Sequence, residues 1–206
     1  MDETHGMRYD PESGYVVLAN VLSRDEVGAI LAECDAIRGG PETELVPRDK
    51  LHSGTVHLEQ LRDRVEGVAK LIRHTDLVGA VADIVGDNSE LVQASLRCPQ
   101  PAFGQQQLHT DDVPKVDDGP CRVATAVVAL VPFTARNGAT RIVPGSHRRV
   151  DLQRNPTEAS RHLQEQSVLL EAGSAVVFSG HLVHSGCVNN SDADRPALHL
   201  TWHRRS

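Results

Sequence analysis

The spacing of apolar residues divides the chain into a helical first part and a β-rich remainder. Residues 14–22, GYVVLANVL, form a β-branched run that predicts one short strand. Ser23 and Glu26 have the spacing of a capping box, and an apolar stripe with helical period covers Val27–Cys34. These features predict a helix that begins after Ser23 and ends at Gly39–Gly40.

Two further helices are predicted before residue 90. The segment 39–54, GGPETELVPRDKLHSG, has the composition of a loop. A second helix is expected over residues 58–72, and a third between a cap at Thr75 and a stop at Gly86. The apolar face of the second helix would consist of Leu58, Leu61, Val65, Val68 and Ile72.

From Leu91 onward the apolar period changes to two. Strand-like runs occur at 91–97, 105–109, 122–131, 140–143, 167–170, 174–178, 182–188 and 196–203. Longer polar loops are expected at 112–121 and 150–165. Eight short strands favour a sandwich or jelly roll. We therefore expect a single domain over 1–206, mainly β with flanking α, in which a helical segment (about 23–86) packs on one sheet of a β-core (about 91–203).

Composition excludes several classes of partner. The 206 residues carry a net charge of −7, contain six aromatic residues and have no long basic tract, which argues against nucleic acid. The longest apolar run, 123–133, is far below the roughly 20 residues of a membrane helix. The four scattered cysteines are expected to be reduced thiols of a cytoplasmic protein. Nothing in the pattern indicates an oligomeric state.

The histidines supply the candidate chemistry. In QQQLHTDDVP, His109 and Asp111 are two residues apart and would share one face of a strand, either as a solvated strand end or as part of a metal site. His184, after the apolar run SAVVF, is expected to point inward, with His181 left in the turn. A structural hydrogen bond is expected for His147. The final strand places His199 and His203 on one face, towards a cavity or solvent. Solvated side chains are expected for the others: His5, His52, His57, His74 and His162.

Two histidines and a carboxylate suit iron(II) with open coordination positions, although zinc accepts the same ligands. A hairpin centred between Asn189 and Asn190 would place Arg195 across from His184, at about 5 Å. Its guanidinium could then hold one end of a dicarboxylate whose keto acid end chelates iron, which describes 2-oxoglutarate. The alternative is a surface ion pair of Arg195 with Asp192 or Asp194.

Four segments together resemble the phytanoyl-CoA dioxygenase family. They are GYVVLANVLSRDEV (14–27), HTD (109–111), NGATRIVPGSH (137–147), and His184 followed eleven residues later by Arg195. The resemblance runs from about residue 14 to 203. It implies a double-stranded β-helix (jelly roll) and an oxygenase that uses iron(II), 2-oxoglutarate and O2.

Carried over by position, the resemblance makes His109, Asp111 and His184 the iron ligands and Arg195 the clamp on the C5 carboxylate. Thr140 and Gln106 are weaker candidates for co-substrate contacts. The implied reaction is hydroxylation, or another oxidation, of an unactivated C–H bond. Related halogenases lack the carboxylate ligand, so Asp111 favours hydroxylation.

The substrate is expected to be a small molecule of bacterial-type secondary or amino-acid-like metabolism. Because the chain is short for the family, a fatty acyl-CoA is not expected. Arg97, Arg122 and His199 could meet an anionic group of the substrate. One alternative is a cupin-like isomerase or hydrolase that uses zinc, with a solvent-facing Arg195. Another, a non-catalytic jelly roll, would be expected to lack a member of the triad, and all three are present.

Overall fold

The computed structural model describes residues 8–38, 43–45, 54–114, 121–158 and 163–205, and these form two antiparallel sheets flanked by helices. The larger sheet has the strand order β1-β8-β5-β10-β4-β3-β2, and the smaller has the order β7-β6-β9. The strands are β1 (Tyr15–Leu18), β2 (Thr43–Leu45), β3 (Thr55–Leu58), β4 (Ser89–Pro99), β5 (Val123–Ala129), β6 (Arg141–Ile142), β7 (Gln166–Ser167), β8 (Ala175–Ser179), β9 (His184–Ser185) and β10 (Ala197–Arg204).

The helices whose bounds lie within the described residues include α1 (Arg24–Ile37), α2 (Glu66–Leu71), α3 (Thr75–Val85) and α4 (Val150–Arg154). The capping box expected at the start of α1 is present. The Ser23 hydroxyl accepts the Glu26 N–H at 3.3 Å, and the Glu26 carboxylate accepts the Ser23 N–H at 2.8 Å. Two of the backbone N–H groups left free at a helix start are thereby satisfied.

Side-chain alternation along the larger sheet creates two apolar layers. One face, with residues such as Leu96, Ala126 and Leu198, packs against the apolar faces of α1, α2 and α3. The opposite face, including Val127 and Phe178, packs on residues of the smaller sheet and its loops. The expectation of a mainly β jelly roll with its N-terminal helices packed on one sheet is confirmed.

The second predicted helix is largely wrong. Thr55–Leu58 is strand β3, because its backbone pairs with Leu96–Pro99 of β4. Gln60 has a positive φ of 59° and separates this strand from a short 3₁₀ turn at Leu61–Asp63. Only Glu66–Leu71 is α-helical. The apolar spacing over 58–72 was compatible with a helix, and the non-local pairing with β4 overrides it.

Smaller differences concern element ends and loops. The predicted loop 39–54 contains β2. In α3, Thr75 is the first helical residue and His74 occupies the N-cap position, while the helix ends at Gly86 as expected. Residues 105–109 form no regular strand, only a bridge from His109 to His184. The polar segment 150–165 begins with α4, and Gly39–Gly40 lies outside the described residues.

Across the described ranges, none of the helices combines the length and the apolar character that a membrane span requires.

Candidate metal and co-substrate site

The backbone brings His109 and His184 together from distant parts of the chain. Each donates its N–H to the carbonyl of the other at 3.0 Å, which forms a single antiparallel bridge. Asp111 follows in a bend, where its N–H donates to the Gly180 carbonyl at 2.8 Å. The chain thus turns at Thr110 and directs the Asp111 carboxylate towards the two imidazoles.

The three side chains converge on one point. Asp111 Oδ1 lies 3.9 Å from His109 Nε2 and 3.6 Å from His184 Nε2. One ligand atom from each residue lies within 4.8 Å of the others. Two imidazole nitrogens and a carboxylate oxygen on one side of a common centre match the face of an octahedral metal site, with positions left open on the other side.

Neighbouring hydrogen bonds hold these ligand atoms in position. His109 Nδ1 lies 2.8 Å from the Gln107 carbonyl, and His184 Nδ1 lies 2.9 Å from the Leu182 carbonyl. A carbonyl can only accept, so each Nδ1 carries the proton and each Nε2 presents a lone pair to the centre. Thr125 Oγ1 donates to Asp111 Oδ2 at 2.6 Å. The arrangement leaves Asp111 Oδ1 free to bind a metal.

The electrostatic environment favours the metal-binding protonation states. Burial, reinforced by the nearby His184, lowers the pKa of His109 and keeps its ring neutral. Burial alone would raise the pKa of Asp111. The neighbouring His184 and the Thr125 hydrogen bond oppose that effect, and the net pKa is lowered. A neutral imidazole and an ionised carboxylate are the forms that coordinate a metal.

A cavity of about 660 Å³, measured out to its opening to solvent, adjoins the triad. It lies between the two sheets and has mainly polar side chains in its wall, which include Thr55, Gln93, Arg97, Gln106, Thr125, Thr140, Arg195, His199 and Thr201.

Arg195 is the most deeply buried cation of this wall, since only 4 % of its surface is exposed. Its guanidinium carbon lies 4.6 Å from the centre of the Phe133 ring. Nε and Nη1 have no hydrogen-bond partner among the described residues. Burial lowers the pKa of Arg195 to about 10. An unpaired buried guanidinium of this kind is suited to receive an anion.

The hairpin that was predicted to bring Arg195 next to His184 is wrong, although Arg195 does line the cavity. β9 pairs with β6 in the smaller sheet, whereas β10 pairs with β4 and β5 in the larger one, so no hairpin joins them. The segment between β9 and β10 crosses from one sheet to the other, and the Arg195 N–H donates to the Pro99 carbonyl at 3.0 Å.

The surface alternative for Arg195 is also wrong. Asp192 pairs with Arg136 at 3.1 Å, and Asp194 pairs with Arg38 at 3.0 Å, so neither aspartate is available to Arg195. The zinc alternative had required a solvent-facing Arg195, and the observed burial contradicts that requirement.

Comparison with known proteins agrees with this geometry. The family model described as Phytanoyl-CoA dioxygenase (PhyH) matches residues 11–197. The chain belongs to this family. "Iron/alpha-ketoglutarate-dependent dioxygenase penM" of Penicillium thymicola is 29% identical over 209 residues, which cover 92% of this chain and 64% of the relative. The chain therefore spans less than two thirds of that relative's length.

Solved structures show the same fold at low identity. The carbocyclase SnoK, described as non-heme and alpha ketoglutarate dependent, superposes with a TM-score of 0.80 at 21% identity and covers 98% of this chain and 84% of its own. The epimerase SnoN, solved with Fe3+, alpha ketoglutarate and nogalamycin RO, superposes with a TM-score of 0.77 at 19% identity. The match covers 93% of this chain and 79% of the SnoN chain. The expected cofactors, iron and 2-oxoglutarate, agree with these relatives.

The weaker co-substrate candidates carried over from the family both line the cavity. The Thr140 side chain is buried beside β6. Gln106 lies on the approach to His109, and its side-chain oxygen accepts the Gly186 N–H at 2.7 Å. That hydrogen bond fixes the Gln106 amide next to the bridge between the two histidines.

The three candidates for substrate contacts fall in two places. Arg97 and His199 line the cavity, and the Arg97 Nε is buried without a hydrogen-bond partner. Burial, together with the positive Arg97 and Arg195, lowers the pKa of His199 well below its usual range, so its ring is neutral. Arg122 does not line the cavity. Its side chain is 61 % exposed and pairs with Asp112 at 2.9 Å.

Sequence reasoning missed Thr125 and misplaced His57. Thr125 is a single hydroxyl within the apolar run VATAVVA, and this isolated inward-facing polar group was the available signal. His57, expected to be solvated, is buried in β3 opposite Arg97. His147 makes the expected structural contact, to the Pro11 carbonyl at 3.0 Å. His203 is exposed and does not line the cavity with His199, while His5, His52 and His162 lie outside the described residues.

Proposed function

We propose that this chain is an iron(II)- and 2-oxoglutarate-dependent dioxygenase that oxidises an unactivated C–H bond of a small molecule. One observation carries the proposal: a two-histidine, one-carboxylate donor set shares a cavity with a buried arginine that has no anionic partner. The donor set fits the metal, and Arg195 fits the far carboxylate of the co-substrate. Together they specify a metal-chelating dicarboxylate, which zinc hydrolysis or isomerisation does not need.

Each residue has a distinct task in this proposal. His109, Asp111 and His184 would hold iron(II) on one face. With 2-oxoglutarate and O2, bound iron supplies oxidative decarboxylation coupled to C–H oxidation. Arg195 binds the C5 carboxylate in a site from which water is largely excluded, and this strengthens the ion pair. Thr125 holds the Asp111 carboxylate so that Oδ1 keeps facing the metal.

Thr140 and Gln106 are proposed to contact the co-substrate. Both belong to the cavity wall. The Thr140 hydroxyl can donate to a carboxylate oxygen, and the Gln106 side-chain oxygen accepts the Gly186 N–H beside the two histidines.

On the substrate side, we propose that Arg97 and His199 face a polar or anionic group. Arg97 is the second cation of the cavity wall, and burial lowers its pKa against the opposing effect of the nearby Asp111 and Glu59. Its buried Nε has no hydrogen-bond partner among the described residues. A substrate oxygen would satisfy such a group, while an entirely apolar substrate would leave it unpaired.

Hydroxylation is the outcome we propose, because Asp111 occupies the coordination position that a halide would need. SnoK, described as a carbocyclase, and SnoN, described as an epimerase, show that proteins of this fold also support other outcomes. Bacterial-type metabolism stays a prediction, since the penM relative is fungal. A reducing, cytoplasmic location is likewise proposed, supported by four cysteines that are all free thiols.

The test is an anaerobic titration of the metal-free protein with iron(II) and then 2-oxoglutarate. Formation of a weak visible charge-transfer band, dependent on both additions, is the expected result. Zinc in place of iron should bind without the band and serves as the control. Absence of the band in a folded protein that binds iron would reject the co-substrate and leave the zinc hypothesis.

A further inference from the structure

A second group of reactive side chains lies outside the cavity, at the start of β5. Cys121 Sγ lies 3.5 Å from His181 Nδ1 and 3.1 Å from the Ser179 hydroxyl. On the other side of the ring, His181 Nε2 lies 3.4 Å from Asp112 Oδ2. None of these four residues lines the cavity, and the proposed oxygenase chemistry does not use them.

The order thiol, imidazole, carboxylate is the arrangement that activates a nucleophilic cysteine. Nδ1 of His181 can accept the thiol proton. Asp112 lies on the other side of the ring with only 7 % of its side chain exposed, and its Oδ2 has no hydrogen-bond donor among the described residues. Arg122 pairs with the other oxygen, Oδ1, at 2.9 Å and keeps the carboxylate oriented.

The thiol has one competing acceptor, the Val123 carbonyl at 3.0 Å from Sγ. That contact holds the sulfur in place while the proton is still on it. Burial by itself would raise the pKa of Cys121, but the hydrogen bonds with His181 and Ser179 outweigh burial and the net pKa is lowered. Cys121 is partly exposed, so a small reagent can reach it.

The other three cysteines lack such an arrangement. Cys34 and Cys98 are buried, and burial raises the pKa of the two thiols to about 11 and about 12. Cys187 is the matched comparison, because it is partly exposed like Cys121. Burial raises its pKa, and its sulfur makes no hydrogen bond with any of the described residues.

We propose that Cys121 is a modification site, a thiol that His181 activates for attack on soft carbon electrophiles. With iodoacetamide, the sulfur forms a bond to the methylene carbon, the carbon–iodine bond breaks and iodide leaves. The thiol proton passes to His181 Nδ1 and then to solvent. The site is independent of the proposed oxygenase function, since its reaction requires neither iron nor 2-oxoglutarate.

The experiment measures the alkylation rate of each cysteine in the full chain with iodoacetamide at pH 7, by mass spectrometry of peptides. Cys121 should react at least about tenfold faster than Cys187, because a larger fraction of it is thiolate. In guanidinium chloride the two rates should become similar. Equal rates in the folded protein, or faster labelling of Cys187, would overturn the proposal.

Two variants identify the cause. His181→Gln should slow labelling of Cys121 to about the Cys187 rate, whereas Cys187→Ser should leave the Cys121 rate unchanged. If His181→Gln does not fold, Ser179→Ala provides the second measurement, with a smaller decrease expected from the loss of one hydrogen bond. An unchanged Cys121 rate in folded His181→Gln would show that the imidazole does not activate the thiol.

Discussion

His109 and His184 are joined by two backbone hydrogen bonds, each N–H donating to the other residue's carbonyl at 3.0 Å. Their ring centres are 4.4 Å apart. In an antiparallel pair of this kind the two side chains lie on the same face, so the backbone itself sets the separation of the two imidazoles. The proposed metal site is therefore preorganised by main-chain pairing across 75 residues of sequence.

Replacement of any one triad residue should abolish iron binding without unfolding the protein. His109→Ala, Asp111→Ala and His184→Ala each remove one of three ligands, while the backbone bridge and the apolar layers remain. Iron(II) titration with circular dichroism as the folding check measures both effects. His203→Ala, an exposed histidine on β10, is the control and should bind iron normally. Normal succinate production by a triad variant would remove that residue from the ligand set.

Thr125→Val should weaken the metal site while keeping its shape. The substitution is nearly isosteric and removes only the hydroxyl that donates to Asp111 Oδ2 at 2.6 Å. Loss of such a supporting contact typically lowers metal affinity about 10–100-fold. The measurement is the iron(II) dissociation constant under nitrogen.

Thr201→Val is the matched control for this substitution. Thr201 lies directly opposite Thr125 on β10 and lines the same cavity, but the hydroxyl is near Gln93 and not near a ligand. Its iron affinity should equal that of the wild type. Equal losses in the two variants would mean that cavity polarity, rather than orientation of Asp111, determines affinity.

Gly138→Ala should destabilise the fold at the turn before β6. Gly138 has φ +79°, and an added Cβ would lie 2.4 Å from the Cys187 carbonyl oxygen. The left-handed backbone alone costs an alanine roughly 1–2 kcal/mol, and the clash adds to it. We expect the free energy of unfolding in urea to fall by at least about 2 kcal/mol.

Gly79→Ala provides the opposite expectation within the same chain. Gly79 lies inside α3, and an added Cβ there would meet no atom within 4 Å. The free energy of unfolding should rise by about 0.5–1 kcal/mol, because alanine has the higher helix propensity. If Gly138→Ala and Gly79→Ala had the same free energy of unfolding, the close approach of Gly138 to the Cys187 carbonyl would be incorrect.

Local sequence patterns predicted the elements that are determined by residues close to one another in the chain. The capping box at Ser23 and Glu26 was one case, and the alternating runs that became β5, β8 and β10 were others. The first half of the second helix failed because Leu58 ends strand β3, which pairs with β4 about forty residues further along the chain, and Gln60 then adopts a positive φ. Apolar spacing carries no information about such a partner.

The structure brings most of the predicted site residues to one cavity, but partly by other routes than the sequence suggested, and it leaves Arg122 outside. His109 and Asp111 do meet, but Asp111 reaches the centre through a bend tied to Gly180 rather than through strand alternation. Arg195 reaches the cavity on a segment that crosses between the two sheets, and not on a hairpin. The resemblance to a family identified these residues by their positions in the sequence. Long-range packing determines how the chain brings them together in space.

The prediction that most directly separates the oxygenase from a zinc enzyme concerns Arg195. If it binds the C5 carboxylate, Arg195→Ala removes a buried charged pair worth about 2–5 kcal/mol. The affinity for 2-oxoglutarate should then fall about thirtyfold or more, because each 1.4 kcal/mol is tenfold. Arg195→Lys should recover only part of the loss, since an ammonium lacks the planar fork.

The measurement is co-substrate titration of the iron-loaded protein under nitrogen, with iron affinity determined separately. Iron binding should survive in both variants, because the proposed ligand atoms belong to the triad. Arg136→Ala, which removes an exposed arginine paired with Asp192, is the matched control and should bind 2-oxoglutarate like the wild type. Unchanged affinity for 2-oxoglutarate in Arg195→Ala would mean that the buried guanidinium of the wild type does not bind the C5 carboxylate. The main reason for choosing iron over zinc would then be lost.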